Sequence, residues 1–140
     1  MTRLSRLCLL VACGLTLAAP RWGPDKRDAS RARITIYRVA PGKHLEFLRW
    51  MAAQDEVAKE AGTAAVQLYA HLDGDSWDYI GIGPVTTPEQ DQKKDEIAAR
   101  KGLKTGLPAA LQFRDLLASH TDTFAAGPLS AAELVAQASR

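Results

Sequence analysis

The residues best suited to chemistry lie around a short polar turn at 73–76. His71 and Trp77 flank this turn, and Tyr69 and Tyr79 follow two residues further out on either side. The ordinary pKa of a histidine is about 6.5, so His71 can accept or donate a proton near neutral pH. Tyrosine and tryptophan offer apolar surface and a hydrogen-bonding group together. The pattern predicts a pocket for a small, partly aromatic or apolar molecule, with His71 as the candidate catalytic residue.

Two strands are predicted to position these residues. Apolar residues alternate with polar or aromatic ones on both sides of the turn, which is typical of a β-hairpin, here over 67–83 with a loop of about four residues. Alternate side chains of a strand lie on opposite faces of a sheet. The segment 33–39 alternates in the same way, which indicates a neighbouring strand. One face then carries the predicted ligand-binding residues, which are Tyr37, Gln67, Tyr69, Trp77 and Tyr79.

The histidines also have a structural interpretation. His71 can be paired across the hairpin strands or lie at the seam of a dimer, because no nucleophile or second base accompanies it. His120 and Asp122 are two residues apart in a predicted strand, so they share one side and can hydrogen-bond each other or a metal ion. They are fewer than the roughly three or four ligands of a zinc site. A structural role is favoured for this pair, and no metal and no cofactor is predicted.

Several classes of protein lack support in the sequence. The glycine-rich stretch 81–84 does not continue as a dinucleotide-binding motif, because Thr86 stands at the third glycine position. The sequence contains no P-loop and no G-x-S-x-G elbow. The formal net charge of +2 becomes zero if Arg3 and Arg6 are removed, so charge does not favour a nucleic acid as partner. Hydrolases, nucleotide-binding proteins and nucleic-acid-binding proteins are therefore not favoured.

Residues 1–19 are predicted to be a signal peptide for export. A basic start is followed by an apolar run at 7–17, which is too short to span a bilayer, and then by small residues. Cleavage near Ala18 would give a secreted or periplasmic protein. Alternatively, the residues before Cys13 resemble a lipobox, and Cys13 would then anchor a lipoprotein to the membrane. In either case Cys8 is removed, so no disulfide can form within the chain.

The remaining chain is predicted to form one folded domain with short flanking segments. Residues 20–32 are rich in Arg, Asp, Gly and Pro, which predicts a linker. The domain is expected over 33–127, a length that can bury a core. A short C-terminal helix is predicted within 128–140, because Ser130 and Glu133 form a capping-box pattern.

The segments between the predicted strands have the periodicity of helices. A long helix is expected over 44–61, with Leu45, Leu48 and Met51 on its apolar side. Thr87 and Pro88 are typical of a helix start. The other expected elements are a helix up to Lys101, a helix over 108–119 and a last strand at 120–125.

The predicted order of elements is β-α-β-β-α-β, the ferredoxin-like arrangement of the α+β class. In this arrangement both helical regions cover one face of an antiparallel sheet and leave the other face open. We expect the aromatic face to be the open one, covered by a partner or a ligand. The aliphatic residues expected to face the helices are Ile34, Ile36, Leu68, Ala70, Leu72, Ile80 and Ile82.

With this element order and the Pro41-Gly42 entry to the first helix, the chain resembles the dimeric α+β barrel superfamily over about 33–127. The resemblance implies a homodimer whose sheets pack face to face. It also implies a cofactor-free monooxygenase, a haem-related enzyme or an isomerase as alternatives to a binding protein without catalysis. Oxygenase and haem-degrading members commonly use Asn, Trp and His, whereas this sequence has Trp77 and histidines but no asparagine. A homodimer that binds a small molecule is therefore the favoured expectation.

Overall fold

The computed structural model of the protein describes residues 31–139. The predicted signal peptide and most of the predicted linker lie outside this range. The elements are β1 (Arg31–Val39), α1 (His44–Ala61), β2 (Gln67–Ala70), β3 (Tyr79–Pro84), α2 (Pro88–Arg100), α3 (Gly106–Asp115), β4 (Leu117–Ala126) and α4 (Ala131–Ala138).

The sheet confirms the predicted ferredoxin-like fold. Its strands run in the order β2-β3-β1-β4, and every neighbouring pair is antiparallel. The first and last strands of the chain, β1 and β4, pair along almost their whole length. On one face of this sheet, Phe47 and Met51 of α1 are buried and Phe113 of α3 packs beside them, while α2 packs against α1. Within residues 31–139, no helix combines the length and the apolar composition that crossing a bilayer requires.

Local signals place most of the helix ends correctly. The helix α1 has the predicted bounds, and Gly62 ends it with a positive φ of 77° while its N–H bonds to backbone oxygens of the last turn. The helix α2 begins at Pro88 behind a Thr87 and Gln90 capping box. The helix α4 begins after the Ser130 and Glu133 capping box, as predicted.

The prediction of one helix over 108–119 is wrong at both ends. The helix α3 begins at Gly106 and ends at Asp115, and Leu117 already belongs to β4. Pairing with β1 explains the early end, because Leu117 lies opposite Val39 and the Ala40 N–H donates to the Leu116 carbonyl at 2.9 Å. A contact far along the chain thus overrides the local helical pattern.

The prediction that the aromatic face is open is wrong for β1 and β3. Tyr37 is 6% exposed, whereas Ile36, on the opposite face, is 39% exposed. The Phe47 ring from α1 is fully buried and contacts Tyr37 and Tyr79 at 5.2 and 5.4 Å between centroids. An aromatic ring buries about 150–250 Å², so placing these rings beneath α1 removes much apolar area from water.

The register of the hairpin also divides the predicted aromatic face. Tyr69 lies opposite Ile80, and Leu68 lies opposite Gly81. Tyr69 therefore shares a face with the isoleucines, while Leu68 packs against the core beside Tyr37. The predicted hairpin loop of about four residues is too short, because β2 ends at Ala70 and β3 begins at Tyr79.

Of the three residues predicted on the apolar side of α1, only Met51 is buried. Leu45 and Leu48 are exposed, while Phe47 and Met51 are buried against the sheet. Further along, Val57 packs with residues of α2, and this second cluster comprises Val57, Ala61, Ile97 and Ala98. The helix therefore bridges the sheet and α2. A space remains over the central strands, between the sheet and these helices.

Candidate functional site

A cavity of about 310 Å³ lies between the helix-facing side of the sheet and the helices, and we call it the cleft. The sheet contributes Arg33, Thr35, Tyr37 and Asp122 to its lining. The helices contribute Trp50, Gln54, Asp55, Asp91, Lys94 and Phe113. A ligand in this cleft would contact an aromatic wall and several charged groups.

Two glycines of β3 shape the wall of the cleft. Gly81 and Gly83 lie where larger residues would meet their neighbours. A Cβ atom at Gly81 would lie 3.0 Å from Tyr37 Cε2, 3.1 Å from the Tyr37 hydroxyl oxygen and 3.0 Å from Val66 Cγ1. A Cβ atom at Gly83 would lie 3.0 Å from Val66 Cγ2. The glycine at position 81 therefore allows the Tyr37 ring to lie close to β3 beside the cleft.

A row of polar side chains crosses from β1 to β4, and we call Tyr37, Thr35, Asp122 and His120 the polar row. Thr35 is only 5% exposed, and its hydroxyl donates to Asp122 Oδ1 at 2.6 Å. His120 Nε2 lies 3.5 Å from Asp122 Oδ2. The prediction that His120 and Asp122 share one side of the last strand is thus confirmed.

Pairing of β1 with β4 assembles the polar row. Thr35 lies opposite Asp122, and Tyr37 lies opposite His120. Alternate residues of a strand share a face, so all four side chains lie on the helix-facing side. The row runs from buried positions on a central strand to partly exposed ones on an edge strand, since the His120 and Asp122 side chains are 32% and 47% exposed.

The Tyr37 hydroxyl has a raised pKa. Burial is the largest cause, and the negative charge of Asp122 acts in the same direction. A hydrogen bond with Thr35 and the positive charge of Arg33 lower the pKa and only partly offset these effects. Tyr37 therefore stays protonated at neutral pH and offers the cleft a neutral hydroxyl.

Aromatic rings form the helical wall of the cleft. The ring centroids of Trp50 and Phe113 lie 5.0 Å apart, and Phe113 meets Tyr37 edge-on at 6.3 Å. Phe113 also lies edge-on to the His120 ring at 5.3 Å. Such a wall suits the flat face of an aromatic ligand.

Carboxylates outnumber cations around the cleft. Asp122 is engaged with Thr35, and Asp91 accepts a hydrogen bond from the Thr86 hydroxyl at 2.6 Å. Partial burial raises the pKa of Asp55, against the smaller effect of a hydrogen bond from the Val66 backbone. The two cations are Arg33 and Lys94. This balance gives the cleft no positive excess that would attract an anion.

The predicted catalytic residue, His71, lies away from the cleft. Its ring contacts Trp77 with centroids 4.7 Å apart, in the loop between β2 and β3. Its backbone N–H donates to the Asp78 carbonyl at 2.9 Å. Among the described residues, its buried Nε2 atom has no hydrogen-bond partner. Neither ring lines the cleft.

The structure does not bring the predicted ligand-binding residues onto one surface. Tyr37 lines the cleft, whereas Tyr79 is stacked on Phe47 beneath α1. Gln67 and Tyr69 lie on the opposite face of the sheet.

The contribution of the helices to the cleft was not predicted from the sequence. Trp50 and Gln54 lie three and seven residues after Phe47, which is the spacing of one helix face. Centring the predicted apolar face of the helix on Phe47 rather than on Leu48 would have placed Trp50 and Gln54 on that face. Phe113 lies within the helix predicted over 108–119 but was not recognised as part of a site.

The other side of the sheet, which we call the open face, is aliphatic. It carries Ile34, Ile36, Ile80 and Ile82 in cross-strand pairs, with Tyr69 beside them. Tyr69 is 54% exposed. A groove of about 460 Å³ crosses this face near Gln67 and Ala125.

Comparison with known proteins finds similarity in structure alone. No protein-family model matches the sequence, and a search of curated proteins finds no match. Similar solved structures include a protein from Agrobacterium tumefaciens, with 17% identity and a TM-score of 0.46 over 72% of this chain and 97% of that chain.

Two further structures are similar at lower scores. A NIPSNAP family protein from Agrobacterium tumefaciens has 15% identity and a TM-score of 0.45, over 71% of this chain and 98% of that chain. A dimeric protein of unknown function with a ferredoxin-like fold, from Bacteroides fragilis, has 11% identity and a TM-score of 0.36, over 69% of this chain and 95% of that chain. Similarity of this size gives no information on function, which has to be argued from the site.

Proposed function

We propose that the protein binds a small, partly aromatic molecule in the cleft. The observation that carries the proposal is a cavity of about 310 Å³ with an aromatic wall on one side and the hydroxyls of Tyr37 and Thr35 on the other. Ligand pockets typically have roughly 300–1,000 Å³ and combine apolar walls with a few fixed polar groups. The predicted ligand class is retained, while its site moves from the hairpin to the cleft.

The lining residues indicate how such a molecule would lie. Its ring would pack on Trp50 and Phe113, which already contact each other at 5.0 Å. Its polar group would reach the Tyr37 hydroxyl, which Gly81 allows to approach β3 closely. A neutral ligand fits best, because the carboxylates around the cleft outnumber the cations.

Tryptophan fluorescence tests this site against the hairpin. The protein has tryptophans at 22, 50 and 77, of which Trp50 lines the cleft and Trp77 contacts His71. The full chain is titrated with a panel of neutral phenols, aromatic ketones and aromatic amides. We expect quenching in the wild type and in Trp77→Phe, and its loss in Trp50→Phe. Quenching that survives Trp50→Phe and disappears in Trp77→Phe would place the ligand at the hairpin instead.

We also propose that two copies pair through their open faces. Four isoleucines and the half-exposed Tyr69 form a continuous apolar surface on this side of the sheet. Exposed apolar surface of this kind is typical of an interface between proteins. Light scattering of the purified chain at micromolar concentration is expected to give the mass of a dimer. A monomer under these conditions would contradict the pairing.

Export is proposed on the order of residues in 1–19, with a basic start, an apolar run and small residues. Expression of the full chain in a Gram-negative host, followed by fractionation and mass spectrometry, tests it. A mature protein that begins after Ala18 supports a secreted or periplasmic location. A lipid-modified protein that begins at Cys13 supports the anchored alternative. An uncleaved chain in the cytoplasm contradicts both.

A further inference from the structure

We infer that the cleft is specific for aromatic carboxamides, and that Gln54 is the residue that selects their amide group. The inference rests on the proposed binding function, and it names the class of ligand and the side chain that recognises it. Its basis is the side-chain amide of Gln54, which lines the cleft beside the aromatic wall and has no hydrogen-bond partner among residues 31–139.

Most other polar groups of the cleft already have a partner in the protein. Each of the three carboxylates of the lining accepts a hydrogen bond, and these are Asp55, Asp91 and Asp122. The threonine hydroxyls of the lining are the donors to Asp91 and Asp122. Within the described part of the chain, His71 Nε2 is the one fully buried side-chain atom without a partner, so the unpaired Gln54 amide is accessible. It is therefore free to bind a ligand.

The position of Gln54 on α1 places this amide next to an aromatic ring. Gln54 follows Trp50 by one helical turn, and both residues are half-buried. Residues four apart share one face of a helix, and helical side chains point back towards the N-terminus. The Gln54 amide therefore lies over the turn that carries the Trp50 ring. An aryl carboxamide has the same arrangement, with its amide group directly beside its ring.

A second cavity, of about 220 Å³, shares Trp50 and Gln54 with the cleft. Phe113 lines the cleft and not the second cavity, so a ring that packs on both Trp50 and Phe113 lies in the cleft. Gln112 of α3 lines the second cavity and not the cleft, and it is half-buried like Gln54. The chain thus offers a matched pair of glutamines, of which one can contact a ligand in the cleft.

The amide of Gln54 has the two groups that recognise another amide. Its carbonyl oxygen accepts a hydrogen bond and its NH₂ group donates. Two amides that face each other form a pair of hydrogen bonds, in which each NH₂ group donates to the other carbonyl oxygen. The second lone pair of the ligand's carbonyl oxygen can accept from the Tyr37 hydroxyl, which stays protonated at neutral pH. A ketone has no N–H, so it leaves the Gln54 carbonyl oxygen unpaired.

The remaining groups of the cleft agree with a neutral amide. A carboxylate ligand is disfavoured, because carboxylates outnumber cations in the lining. Lys94, a half-buried cation of the lining, has donors and no acceptor, so it cannot distinguish an NH₂ group from a methyl group. Selection of the NH₂ group therefore depends on the Gln54 carbonyl oxygen.

The test compares benzamide with acetophenone, which has a methyl group in place of the NH₂ group and nearly the same shape. Isothermal titration calorimetry with the full chain gives the two dissociation constants. The net gain from hydrogen bonds between neutral groups predicts that benzamide binds about tenfold more tightly than acetophenone.

Two variants assign this preference to a residue. Gln54→Met keeps the length of the side chain and removes both hydrogen-bonding groups, so the preference for benzamide is expected to disappear. Acetophenone should bind this variant about as tightly as it binds the wild type, which shows that the cleft is intact. Gln112→Met makes the same change in the second cavity, and is expected to keep the full preference for benzamide.

The outcomes separate this inference from the proposed function. If the wild type binds both probes equally, or if the preference persists in Gln54→Met, selection by Gln54 is overturned and the binding function stands. The inference is also overturned if Gln112→Met loses the preference as completely as Gln54→Met. If neither probe binds while other aromatic compounds quench Trp50, the ligand class is wrong and binding stands. If no compound of the panel binds in the cleft, the proposed function itself fails.

Discussion

The two faces of the sheet are made by the same strands but differ in chemistry and in exposure. On the helix-facing side, β1 places Thr35, Tyr37 and Val39 at 5–6% exposure. On the open face the same strand places Ile36 at 39% exposure. On the covered side an aromatic ring and a threonine hydroxyl accompany Val39, whereas the open face carries isoleucines.

This difference shows that the more aliphatic face of a sheet need not be the one that the chain covers itself. The rings of Tyr37 and Tyr79 pack against Phe47, and Gly81 on β3 gives the Tyr37 ring room. The isoleucines of the open face remain available for an intermolecular contact. The covered face forms the core and lines the cleft, whereas the open face is the proposed interface with a partner.

The largest effect is expected from a core truncation on the covered side. Phe47→Ala removes a fully buried ring that touches Tyr37 and Tyr79, and should lower the free energy of unfolding by about 3–5 kcal/mol. Ile36→Ala on the open face should cost less than half as much in the monomer. Urea unfolding at the lowest measurable protein concentration compares the two. Equal costs would mean that the two faces are equally buried, contrary to the structure.

The next effect concerns pairing of the open faces. Replacing Ile36 and Ile82 by lysine places two charges in the centre of the proposed interface and should raise the dissociation constant of the dimer by about 10²-fold, or roughly 2.7 kcal/mol. Light scattering over a dilution series measures it. The control is Gln92→Lys, Ala99→Lys on α2, which adds the same two positive charges to an exposed helix surface. If the control lost the dimer to a similar extent, the added charge alone, and not its place in the interface, would explain the result.

Gly81→Ala tests the close approach of Tyr37 to β3. The added Cβ atom would lie 3.0 Å from the Tyr37 ring, so we expect a loss of about 1–3 kcal/mol in stability and weaker ligand binding at the cleft. Gly83→Ala is the matched control, because its Cβ atom meets Val66 but not Tyr37. Thermal unfolding and Trp50 quenching are measured for both. Equal loss of binding in the two variants would contradict the role of Tyr37.

The smallest effect on stability is expected from a substitution of Asp55. Its raised pKa means that the folded state favours the protonated carboxyl, so stability falls as the pH rises from the ordinary aspartate pKa through the raised folded value. Asp55→Asn should remove this fall and give a slightly higher melting temperature at neutral pH, with no difference in acid. The Asn side-chain oxygen can still accept from the Val66 N–H. Asp95→Asn, on the exposed side of α2, serves as the surface control for the substitution itself.

Much of the fold could be predicted from local signals. Thr87 with Gln90, Ser130 with Glu133, and Gly62 mark helix ends through hydrogen bonds made within a few residues, and the predicted helix ends at these three points are confirmed. The site was predicted less well. His71 and Trp77 do contact each other. Their positions in the sequence do not predict the cleft, because its wall comes from α1 and α3.

The sequence by itself determined the element order, the helix caps, the ferredoxin-like arrangement and the two-faced character of each strand. Only the tertiary structure decided which face the helices cover. Alternation defines two faces but does not choose between them, because the choice depends on how Phe47, Trp50 and Phe113 fit against Tyr37 and Gly81. The same long-range fit brought His120 and Asp122 beside Thr35 and Tyr37, across 83 to 87 residues of chain.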